Sequence, residues 1–93
     1  MDAAQPWGTY LVEHYHPGSS PDGLRETAAA VRHSAEAMTS EGRAVRYLRS
    51  TIIPRDEAFM SLFEAESERL VREAYARAGV EFDRISQAIA EDA

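Results

Sequence analysis

The chain has 93 residues, 44% hydrophobic and 28% charged, which suits one small domain with a single core and excludes a disordered or two-domain chain. A formal net charge of −6 argues against a nucleic-acid backbone as main partner and mildly favours cationic ligands such as metal ions. There is no cysteine, and every one of the 10 basic residues is arginine, so disulfides, thiolate ligands and Schiff-base chemistry are excluded.

Residues 1–8 read as an N-terminal tail and 9–91 as one domain. The start, Met1-Asp2-Ala3-Ala4-Gln5, lacks the character of a signal peptide. No apolar run approaches the roughly 20 residues that span a bilayer, so a cytoplasmic location is expected. Thr9 to Tyr15 is a β-branched and aromatic run stopped by Pro17-Gly18, and predicts a strand. Ser20-Pro21 offers a cap and a first helical residue, and Leu24, Ala28, Val31, Ala35 and Met38 form an apolar seam, so 21–41 predict a long helix ended by Gly42. Val45 to Ile53 and Ala58 to Glu64 read as a hairpin around Pro54-Arg55-Asp56-Glu57. Ser67 can cap a second helix with the seam Leu70, Val71, Ala74, Tyr75 and Ala78, closed by Gly79, and 84–89 alternate as a last strand.

The order β-α-β-β-α-β is the split βαβ arrangement of an α+β, ferredoxin-like sandwich with an antiparallel sheet. Right-handed crossovers place strands one and three at the sheet centre and both helices on one face. Alternation then puts Phe59 and Phe63 on one side of strand three and Met60 and Leu62 on the other. Strand one divides in the same way, Tyr10 and Val12 against Leu11 and Tyr15. The outer face is too apolar to stay wet, so a face-to-face homodimer is expected, with a folded-over Pro6-Trp7 segment as the other possible cover.

The densest chemistry lies in Glu13-His14-Tyr15-His16. His14 and His16 share a face about 7 Å apart along a strand, a spacing at which two imidazoles can converge on a borderline metal. Glu13 points the other way. Glu64, ending the neighbouring central strand, is the carboxylate candidate, and sequence does not settle which histidine or glutamate it faces. The plainer reading makes His16 a loop residue and His14 a hydrogen-bonded strand end. His33 falls about 180° from the helix seam and should be exposed. Glu66 and Glu68 read as first-turn charges, and Asp83-Arg84 as an ion pair anchoring a loop. No Gly-x-Ser-x-Gly turn and no phosphate loop is present.

The segments "YLVEHYHPG", "EGRAVRYLRSTIIPRDEAFMSLFEA" and "AGVEFDRI" together resemble the small nickel-binding, nickel-responsive proteins of actinobacteria, long catalogued as a domain of unknown function. The likeness runs from about Trp7 to Ala90. It implies a dimeric ferredoxin-like fold and nickel bound by histidine and acidic side chains, and it implies no reaction. On this chain the match rests on Glu13-His14 and Phe63-Glu64. The family often has an aromatic residue where His16 stands and a cysteine near Ser61, a poorer ligand as serine.

The leading expectation is therefore a metal buffer or sensor, with His14, Glu13, His16 and Glu64 as candidate ligands for Ni(II) and Zn(II) as an alternative ion. The competing one is a dimeric α+β-barrel enzyme, a cofactor-free monooxygenase or cyclase for a small aromatic or polyketide-like molecule. It would hold that molecule in an apolar pocket between sheet and helices, with His14, Tyr47 or Glu64 as acid or base. A plain dimeric module without a site is the third.

Overall fold

A computed structural model of the chain describes residues 7–89 and residue 91. In chain order they form β1 (Gly8–Tyr15), α1 (Pro21–Ser40), β2 (Val45–Ile53), β3 (Ala58–Ala65), α2 (Glu68–Ala78) and β4 (Arg84–Ala88), with a 3-10 turn at Pro54–Asp56 inside the hairpin. The sheet order is β2-β3-β1-β4 and every pairing is antiparallel, so strands one and three are central, as the connectivity predicts. Among the described residues no helix is long and apolar enough to cross a membrane.

Local chemistry sets the boundaries. The Ser20 hydroxyl accepts the Gly23 N–H at 3.0 Å and Pro21 opens α1, whose end is turned by Gly42 at φ +84°. Gly79 does the same for α2 at φ +68°. Ser67 stands at the N-cap of α2, but its side chain makes no capping bond.

All five residues of the α1 seam are buried, and three of them, Val31, Ala35 and Met38, pack with Leu70, Val71, Ala74 and Tyr75 of α2 over one face of the sheet. That face supplies Tyr10 and Val12 of β1, Val45 of β2 and Phe63 and Ala65 of β3. A smaller cluster, Leu24, Ala28 and Phe59, lies toward the other end. Each large side chain fully buried here contributes about 1.5–3 kcal/mol relative to exposure. An ion-pair ladder ties the ends of the helical layer together. Arg43 grips Glu73 with bonds of 2.6 and 2.8 Å, and Arg77 reaches both Glu73 and Glu41.

Candidate functional site

Alternation along β1 sends Tyr10, Val12 and His14 into the core and leaves Leu11 and Glu13 on the outer face. His14 is wholly buried where the two apolar clusters meet. Its ring stacks on Phe59 at 3.8 Å between centroids and lies 5.0 Å from the Tyr75 ring. Nε2 is hydrogen-bonded to the Tyr75 hydroxyl at 2.8 Å. Nδ1 is buried and has no hydrogen-bond partner. Burial pushes the His14 pKa down to about 4; the nearby Glu81 backbone carbonyl opposes the shift, His16 adds to it, and Asp83 opposes it. That carbonyl stands close enough to favour a proton on His14 without meeting the geometry of a hydrogen bond to Nδ1. At neutral pH His14 is a neutral imidazole, the form that coordinates metals.

His16 lies just beyond the strand and is half-buried. Its backbone N–H donates to the Glu57 carbonyl at 2.8 Å, and its own carbonyl accepts the Ser19 N–H. The two imidazoles share one side, as the spacing predicts, with ring centroids 5.8 Å apart and planes at 70°.

The two carboxylates go elsewhere. Glu13 points to the outer face and pairs with Arg84 at 3.0 Å. Glu64 stands opposite Thr9 on that same outer face, beyond the register of Glu13 with Met60, and pairs with Arg46 at 2.6 Å. This settles the question left open by the sequence: Glu64 faces with Glu13, and the four candidate ligands do not meet at one point of a single chain. Among the described residues no group of three or more His, Cys, Asp or Glu side chains is placed to hold a metal together. The expected Asp83–Arg84 ion pair is also corrected. Asp83 precedes the ladder and its Oδ2 accepts the Tyr15 N–H at 2.7 Å, whereas Arg84, inside β4, sits opposite Glu13 and takes that partner.

Sequence reasoning missed the partners of His14. The Tyr75 phenol is pushed up by burial, the hydroxyl of Ser61 standing close enough to offset part of the rise. Ser61 is fully buried on β3, and its Oγ lies 2.6 Å from that of Ser50, which lies 2.6 Å from the Tyr47 hydroxyl. A line of bonded hydroxyls thus runs from Tyr47 through Ser50 to Ser61, on the same face of the sheet as His14. Tyr47 and Ser50 should face opposite ways three residues apart. A bulge between Tyr47 and Arg49 inserts one extra residue and turns both inward. The one available signal was a tyrosine in an apolar helix seam, because a buried phenol needs a polar partner.

A surface depression of about 500 Å³ opens beside α2, lined by Arg72, Tyr75, Ala76, Val80, Glu81 and Phe82. Neither histidine of the pair lines it. His33 is exposed on α1, as its helical phase predicts.

Residues 10–87 match a family model described as nickel responsive protein SCO4226-like. Among solved structures the chain is similar to the crystal structure of SCO4226 from Streptomyces coelicolor A3(2), at a TM-score of 0.67 and 20% identity over 90% of this chain and 99% of that one. At that identity the likeness speaks for the fold alone. No curated protein matches the chain.

Proposed function

Because the chain belongs to the nickel-responsive family that its residues 10–87 match, we propose that it binds a divalent late transition metal, nickel foremost and Zn(II) as the alternative, and serves as a metal buffer or sensor. The donors assigned are the imidazoles of His14 and His16. The observation that carries this reading is the buried Nδ1 of His14, an orphaned nitrogen on a neutral imidazole beside a second, more accessible one. Imidazole suits Ni(II) and Zn(II), and the divalent affinity order favours nickel over cobalt. Remaining positions fall to water or oxygen donors. Glu13 and Glu64 lie on the other side of the sheet, where they could serve only a separate, outward-facing set of donors from this chain.

Calorimetric titration of untagged, chelator-stripped protein with Ni(II) and Zn(II) at neutral pH tests the proposal. Binding by the parent, and a loss of tenfold or more in both His14→Ala and His16→Ala, is the expected result. Unchanged affinity in both variants overturns it. Glu13→Gln and Glu64→Gln, measured alongside, tell whether the two faces share a metal.

A further inference from the structure

We infer that Leu48, the extra residue of the β2 bulge, anchors a second copy of the chain on the open face of the sheet, in one register that sets each bulge over the partner's Ser86. The bulge gives the core nothing. Arg49 stands directly opposite Leu62 on β3, and Leu48 has no cross-strand partner. Without Leu48 the strand would still alternate, with Tyr47, Ser50 and Ile52 turned inward and Arg46, Arg49 and Thr51 outward. An extra residue disrupts the hydrogen-bond ladder and serves to re-aim side chains. What it re-aims here lies outside. Leu48 is 41% exposed, and with Arg49 it borders the depression of about 380 Å³ that Leu62 also lines. Two side chains thus stand on the open face where a regular strand would place one.

The open face is complementary to itself. Thr51, Met60, Glu13 and Arg84 form one cross-strand row. Arg46, Glu64, Thr9 and Ala88 form a second. Each row is half ion pair and half uncharged, and the two ion pairs occupy opposite corners of the face. Two sheets stacked face to face in the aligned manner keep their strands within about 30°. A copy turned over about an axis along the strands then reverses every row. Each ion pair meets the uncharged half of its own row, and no like charges are opposed. Between these rows lies a third, Arg49, Leu62, Leu11 and Ser86. Its reversal sets leucine on leucine and the bulge over Ser86, the smallest side chain of that row. Turning the copy about an axis across the strands also separates the charges, but it drives bulge against bulge and arginine against arginine. Leu48 therefore selects the first arrangement.

Engineered cysteines test the register cleanly, because the chain has none of its own. Within one chain, positions 48 and 86 lie on the two edge strands. Those strands are about 14 Å apart, beyond the roughly 7 Å between Cα atoms that a disulfide spans. Oxidised at about 10 μM, the double variant Leu48→Cys with Ser86→Cys should run as a covalent dimer on a non-reducing gel, and each single variant as a monomer. Sedimentation equilibrium of Leu48→Ala should show a dimer Kd raised about tenfold or more, with circular dichroism unchanged, since the lost side-chain burial counts twice in a symmetric pair. A double variant that does not cross-link overturns the register. So does Leu48→Cys alone cross-linking as readily as the pair. Leu48→Ala with the parent's Kd overturns the anchor, and a monomeric parent overturns both.

Discussion

His14 is held in a form that acid must disrupt. Its folded pKa of about 4 lies below the 6.5 of an exposed imidazole, so between those values the unfolded chain binds more protons than the folded one. Stability therefore rises with pH through this window, and is lost as pH falls from about 6.5 toward 4. A displacement of this size corresponds to about 3 kcal/mol when fully expressed. Urea unfolding of metal-free protein at pH 7.5 and 4.5 should show most of that difference. His14→Phe, which keeps the stack on Phe59 and cannot ionise, should show a smaller dependence. Equal slopes in the two proteins would assign the acid sensitivity to other groups. The pairing of His14 with His16 was legible in the sequence because strand alternation is local. The engagement of each ring nitrogen was not, since the Nε2 partner Tyr75 lies 61 residues away on another element.

The elements were legible for a related reason: their ends carry their own chemistry. Ser20-Pro21, Gly42, Pro54 and Gly79 all punctuate the chain where the structure does, and the five-residue seam of α1 is buried throughout. Val31 has no exposed surface, so Val31→Asp should bury an unpaired charge and unfold the domain, lowering stability by several kcal/mol. His33→Ala on the exposed side should change it by no more than about 0.5 kcal/mol. Gly79→Ala separates backbone from packing. A methyl there meets nothing within 4 Å, so a loss of about 1 kcal/mol in thermal unfolding would come from the left-handed φ alone. The bulge in β2 escaped sequence reading because an inserted residue leaves each neighbour's strand propensity intact while reversing the faces beyond it. The ladder of Arg43, Glu73, Arg77 and Glu41 escaped it because it joins two segments about 30 residues apart, the turn after α1 and α2.

At the scale of the molecule, one face of the sheet is covered by two helices and the other by nothing within the described residues of this chain. Leu11 and Leu62 are cross-strand neighbours at the centre of that open face, with Met60 opposite Glu13 beside them. Leu48, 41% exposed, and Leu62 line a depression of about 380 Å³ there. The ion pairs Glu13–Arg84 and Glu64–Arg46 flank this apolar centre, an arrangement of dry middle and charged rim common at protein interfaces. Trp7 reaches only the rim, 43% exposed with the Arg46 guanidinium 5.8 Å above its ring, and Pro6 lies outside the described residues. A second copy of the chain is the expected cover, since a stable pairing needs about 800 Å² from each partner and this sheet face is the broad apolar surface available for it. Sedimentation equilibrium at about 10 μM, a concentration that a Kd of about 1 μM or below would saturate, should give twice the chain mass. Leu62→Glu, which places a like charge against itself across a two-fold axis, should give the monomer with its circular dichroism retained. A parent that sediments as a monomer would instead leave the outer face to the N-terminal segment, and deleting residues 1–7 should then lower stability, where in a dimer built on the sheet face it should change little.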